Sequence, residues 1–269
     1  MAKKLYVVGN WKMHKTARQA TDAIEALVQK VAGSKVKIYL SVPFTAIAAA
    51  AQAAKETEIV IGAQNMSDAR EGAFTGEIAG LMLKEAGASF VLLGHSERRH
   101  VFGEDNGLIH KKVVRALQDD IQPILCIGES GEERQKGETD AVLREQLASA
   151  LAGVPAEDAQ NIMIAYEPVW AIGSGKTPTP DQIEEVHSSC REWLVEAFGS
   201  AKAGAIPILY GGSVKSANAA EIAAQKDVDG VLVGQASLDA EALAAIIHSI
   251  ERASVPKKRK PRVKKEKEE

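Results

Sequence analysis

Eight short apolar runs, rich in β-branched residues and separated by longer helix-period segments, constrain this 269-residue chain more than any other feature. They occupy residues 5–8, 36–42, 59–61, 90–93, 123–127, 162–166, 206–210 and 231–233. A strand with one wet face alternates apolar and polar residues. Near-continuous runs fit parallel strands covered on both faces. The covering helices are legible between them. Ala20, Ile24, Leu27, Val28 and Val31 form one stripe, and Ile183, Val186, Cys190, Trp193, Leu194 and Ala197 another. Leu243, Ile246, Ile247 and Ile250 form the last. Thr179, Pro180 and Gln182 have the form of an N-cap, a first-turn proline and a capping-box partner. Eight strand–helix units predict an α/β fold, a single (β/α)8 barrel over residues 1–253. A doubly wound open sheet is the competitor, because periodicity cannot show closure.

Composition narrows the classes of function. The formal net charge is −3, but residues 254–269 hold eight Lys/Arg and three Glu. That tail carries +5, so the remainder carries −8. Such a body is a poor general binder of nucleic acid, and only the basic tail offers a patch for one. Two prolines and a charge run predict that the tail is disordered and dispensable. Cys126 and Cys190 lie in apolar or amphipathic runs, which reads as buried, reduced thiols in a cytoplasmic protein. No apolar run approaches the ~18 residues of a membrane span. The basic, then apolar, start breaks at Gly9–Asn10, too early for a secretory signal. The six histidines are scattered and none pairs with Cys at ligand spacing, so no metal is called for. "GSGKT" at residues 173–177 lacks the earlier glycine of a phosphate-binding P-loop, since that position is Trp170. The chemistry is therefore expected to need no cofactor.

In a barrel the reacting groups gather where strands end. The first run ends in Asn10–Trp11–Lys12, the fourth in Gly94–His95–Ser96–Glu97, and the sixth in Glu167. The seventh ends in Gly211–Gly212–Ser213 and the eighth in Gly234. Each of Lys12, His95 and Glu167 has a bland reading when taken alone: surface lysine, structural histidine, salt-bridge partner. Their convergence on one rim favours a shared site. The glycine turns precede helices expected from about Ser216 and near Asp239, and backbone N–H groups at such starts bind anions. The loop after Glu167, with Pro168 and Pro178 at its ends and glycines in its tip, has the character of a lid.

"GNWKMH", "GHSERR", "AYEPVWAIGSGKTPTP", "YGGSVK" and "LVGQASL" together resemble the signature segments of the triosephosphate isomerases, in order and spacing, over residues 4–253. The resemblance implies a TIM barrel that interconverts dihydroxyacetone phosphate and glyceraldehyde 3-phosphate, an enzyme of glycolysis and gluconeogenesis. It makes Glu167 the base and His95 the electrophile, with Lys12 and Asn10 contacting substrate and Glu97 an ordered carboxylate. Gly173, Ser213, Gly234 and the amide of Gln235 hold phosphate. It also implies a homodimer or higher assembly in which Thr75, on the segment "EGAFTGE", reaches the partner's site. The pair Gly234–Gln235 departs from the Gly–Gly common in the family, and a positive φ at Gln235 would strain it. The basic tail has no counterpart there. Two readings outside this one stay open: another phosphosugar-binding barrel enzyme, and an idle barrel that carries the tail to nucleic acid or an acidic partner. The intact Lys12, His95 and Glu167 argue against idleness.

Overall fold

The computed structural model describes residues 3–172 and 177–254. Its strands are β1 (Tyr6–Asn10), β2 (Lys37–Val42), β3 (Ile59–Ala63), β4 (Phe90–Leu93), β5 (Gln122–Ile127), β6 (Met163–Tyr166), β7 (Ile208–Tyr210) and β8 (Gly230–Val233). All pair in parallel, in sequence order. β1 also pairs with β8, from Tyr6 opposite Gly230 to Gly9 opposite Val233. That last ladder closes the barrel and excludes the open sheet. β7 starts two residues later than the sequence run, with Ile206 and Pro207 leading into it, and β1 and β3 run two residues further than theirs, to Asn10 and Ala63.

Side chains alternate in and out of the sheet, so closure divides the apolar residues into two cores. Val8, Phe90, Leu92, Ile124, Cys126, Met163, Ala165, Leu209 and Leu232 fill the barrel interior. Their neighbours Val7, Val91, Leu93, Leu125, Ile127, Ile164 and Ile208 join the larger core under the helices. This is why the runs are apolar at consecutive positions. Both cysteines are buried and unpaired.

The helices follow their stripes. Helix Ala17–Val31 buries Ala20, Ile24, Leu27 and Val31, and Thr16 and Gln19 form its capping box. Helix Pro180–Phe198 starts from the expected Thr179–Gln182 box and buries Ile183, Val186, Cys190 and Leu194. Ala197 is exposed, and Phe198 instead packs edge-on to Trp193. Helix Ala240–Ser254 buries Leu243, Ile246, Ile247 and Ile250. Asp239 caps it through the Ala242 N–H. After β7 the helix begins at Ala219, later than the expected Ser216, and spans only Ala219–Ala223. The tail, residues 255–269, lies outside the described residues.

His187 is a buried polar group that the hydrophobic stripe conceals. It packs edge-on to Tyr166 at 5.9 Å between ring centroids. Its Nδ1 lies 3.2 Å from the Asp227 carbonyl, which can only accept, so Nδ1 carries the proton. Burial pushes the imidazole down to about 3, from 6.5. The folded chain therefore binds this proton less readily than the unfolded one. The stabilisation is present above about pH 6.5 and is lost as pH falls from there toward 3, at up to about 1.4 kcal/mol per pH unit. In urea titrations between pH 7 and 4, the stability difference between wild type and His187→Gln should shrink as pH falls. A difference independent of pH would contradict the buried, neutral imidazole.

Candidate active site

Closure brings the strand ends to one mouth, and a cleft of about 430 Å³ opens there. Asn10, Lys12, His95, Glu167, Ser213, Gly234 and Gln235 all line it. Asn10 ends β1, and the others follow β1, β4, β6, β7 and β8. Glu97 does not line the cleft but reaches Lys12. Thr75 is exposed and lies outside the cleft wall of its own chain. Gly173 falls outside the described residues.

Glu167 is fixed by close backbone approach on both sides. Its N–H donates to the Ile127 carbonyl at 2.7 Å, and the Gly211 N–H donates to the Tyr166 carbonyl at 2.7 Å. A Cβ on Gly128 would sit 1.8 Å from the Glu167 carbonyl oxygen. A Cβ on Gly211 would sit 2.9 Å from Glu167 Cγ. Only glycine fits at Gly128, and glycine at Gly211 leaves the side chain room to move. Glu167 as a whole is 2% exposed. Its Oε2 accepts from the Ser96 N–H at 2.9 Å, and its Oε1 lies 3.1 Å from His95 Nε2.

His95 caps the short helix Ser96–His100. Its Nδ1 accepts from the Glu97 N–H at 3.2 Å, so Nδ1 has no proton. Nε2 must then carry the proton, and it points at Glu167. The helix start thus sets the tautomer while its first N–H holds the carboxylate. Behind it, the buried Glu104 accepts from Arg98 and from Lys112, the latter at 2.6 Å. Arg99 ties Gly94 to Cys126 by donating to both carbonyls.

Lys12 sits at φ +50°, a left-handed conformation that costs a non-glycine residue roughly 1 kcal/mol. Polar contacts hold it there. Its N–H donates to Asn10 Oδ1 at 2.9 Å, and its carbonyl accepts from Gln64 Nε2 at 2.8 Å. Its ammonium meets Glu97 Oε1 at 2.6 Å. Gln235 is not among the positive-φ residues, so the expected strain does not arise. The Gly234 carbonyl accepts from the Ser237 N–H and hydroxyl, closing that turn.

This arrangement pairs a buried carboxylate with a protonated imidazole nitrogen, a cation and two glycine turns in one cleft. The family model for triosephosphate isomerase matches residues 5–250. The chain belongs to the triosephosphate isomerase family. A triosephosphate isomerase of Protochlamydia amoebophila is 50% identical over 242 residues, 90% of this chain and 92% of the relative. Those of Symbiobacterium thermophilum and Carboxydothermus hydrogenoformans are 50% and 47% identical, over 89% and 91% of this chain and 94% and 98% of theirs.

Several residues that build the site in this triosephosphate isomerase family member escape sequence reasoning. Gln64, Glu104, Lys112 and Glu129 are polar, and nothing in their spacing marks them. Glu129 is fully buried after β5. Its Oε1 accepts from Tyr166 Oη at 3.1 Å, Trp170 Nε1 at 2.8 Å and Arg134 Nη1 at 3.1 Å. Burial first, and then the Glu129 charge, pushes the Tyr166 phenol strongly up, so it stays a donor. Glu129→Ala would remove the acceptor shared by Tyr166 at the end of β6, Trp170 in the loop after Glu167 and Arg134 on the segment after β5. It should lower the unfolding free energy by about 3 kcal/mol, read by urea denaturation. A loss below about 1 kcal/mol would mean that solvent replaces the carboxylate.

Proposed function

We propose that this chain interconverts dihydroxyacetone phosphate and D-glyceraldehyde 3-phosphate by proton transfer through an enediolate. The observation that carries this is Glu167, buried 3.1 Å from His95 Nε2 in a cleft shared with Lys12. Moving a carbonyl by one carbon requires a carbon-bound proton to leave one carbon and a proton to reach its neighbour. The backbone contacts of Glu167 hold its carboxylate at the cleft, where it can meet a carbon-bound proton. Glu167 takes the proton from C1 of the ketone. The C–H electron pair becomes the C1–C2 double bond, and the carbonyl oxygen gains the charge. The hydroxyl proton on O1 then passes to O2 and Glu167 returns a proton to C2, so the double-bond pair forms the C2–H bond and the O1–H pair becomes the C1 carbonyl.

The oxygen that gains charge needs donors. His95 has a single ring proton, at Nε2, and it faces Glu167 in this structure. Substrate oxygen must take that proton's attention, which frees the carboxylate to swing toward carbon. The cleft space beside Gly211 permits the swing. Lys12 supplies positive charge for the anionic substrate and for the enediolate. Ser213, Gly234 and Gln235, together with Gly173, form the phosphate end in this reading. The loop after Glu167 keeps the enediolate from expelling its phosphate to water.

The chain acts as a homodimer in this reading, with Thr75 entering the partner's site. Exposed apolar side chains support it. Met13, Phe74, Leu81, Met82, Val101 and Phe102 are all exposed, and all follow β1, β3 or β4. So many uncovered apolar residues on the segments that follow these strands mark an interaction surface. Among the described residues no helix is long and apolar enough to cross a membrane.

Glu167→Asp withdraws the carboxylate by about one methylene. A misplacement of ~1 Å can cost roughly a hundredfold, so kcat should fall by about that factor with KM within a few-fold. Steady-state assay in both directions measures this, and wild-type turnover would remove Glu167 as the base. Thr75→Arg should shift the protein toward monomer in sedimentation and lower its activity together. A fully active monomer would sink the shared-site reading.

A further inference from the structure

The cleft has a charge problem that the groups named so far do not solve. Lys12 is matched by Glu97 at 2.6 Å, and Glu167 adds another formal negative charge beside them. Those three sum to −1. The chain outside its last sixteen residues carries −8. A triose phosphate is close to a dianion at neutral pH. Local and long-range fields would therefore both oppose its entry.

Among the described residues one further cation lines the cleft, and it is Lys215. It lies two residues after Ser213, on the loop that follows β7. Asn218 clamps that loop from both sides. Its Oδ1 accepts from the Lys215 N–H at 2.8 Å, and its Nδ2 donates to the Ser213 carbonyl at 3.0 Å. The clamp sets where Lys215 leaves the backbone relative to the phosphate turn. The side chain is exposed, and among the described residues its ammonium forms no ion pair. Lys215 thus differs from Lys12, whose charge is committed to Glu97.

We infer that Lys215 is a steering residue, which draws the phosphate end of the substrate into the cleft against the negative field of the body. This rests on the proposed isomerase reaction. An exposed charge at the mouth acts on encounter, and its effect fades as salt shortens the reach of the field. It should leave the bond-making steps to Glu167 and His95.

The test is a charge series at position 215, assayed with glyceraldehyde 3-phosphate across ionic strength. Lys215→Gln should lower kcat/KM about threefold at an ionic strength of about 20 mM, and Lys215→Glu about tenfold, with kcat near wild type. Both deficits should shrink toward nothing near about 0.5 M salt, and Lys215→Arg should retain the wild-type curve. Salt curves for Gln and Glu that run parallel to wild type would overturn the inference, as would a deficit equal at every salt concentration. An inactive wild type would overturn the proposed reaction and this inference with it. An active wild type with parallel curves overturns this inference alone.

Discussion

The site depends on holding one carboxylate out of water without a committed cation. Glu167 is 2% exposed, and its contacts are a backbone N–H and an imidazole N–H. Donors of that kind satisfy the charge yet can be surrendered to another oxygen. An arginine in the same place would hold the carboxylate permanently and quench it as a base. The geometry needed is demanding. Two neighbouring strand ends must lack side chains, at Gly128 and Gly211, and a helix must begin beside a third. The parallel order β4, β5, β6, β7 brings those strand ends into that relation at one mouth.

The same economy appears around Lys12. A left-handed lysine is held by side chains from two other positions, Asn10 and Gln64, and its ammonium is anchored to Glu97. Glu97 in turn gives its N–H to His95. Cation, carboxylate and imidazole are therefore one connected set. Displacing any member disturbs the tautomer or the charge of the next. Glu129 does for the start of the following loop what Glu97 does here, gathering donors from three side chains onto one buried oxygen. Oε1 alone carries that network, since Glu129 Oε2 is buried with no partner among the described residues.

The fold was largely legible because its signal is repeated: eight apolar runs and their helical stripes each report the same two-sided burial. The Thr179 box was readable for a local reason, since a cap, a proline and a glutamine act within four residues. Lys12, His95 and Glu167 could be singled out only as strand-end residues, and their meeting depended on closure. The rest depends on contacts distant in sequence. Gln64 reaches Lys12 across fifty-two positions and Glu129 meets Trp170 across forty-one. Backbone conformation was likewise hidden. Nothing in the sequence announces φ +50° at Lys12, and the strain expected at Gln235 is absent. The helix after Ser213 starts late because Asn218 ties its own side chain back to the loop.

The central claim is that Glu167 carries the proton between carbons, and label from solvent follows that proton directly. Dihydroxyacetone phosphate is turned over in D2O while the aldehyde is trapped by oxidation as it forms. The wild-type protein should yield product with deuterium at C2, because the carboxylate exchanges before it returns the proton. Glu167→Gln, which keeps the shape and loses the base, should neither turn over nor incorporate label. Product with no deuterium at C2, as a direct hydride shift between the carbons would give, or label entering through the Gln variant at the wild-type rate, would contradict the account.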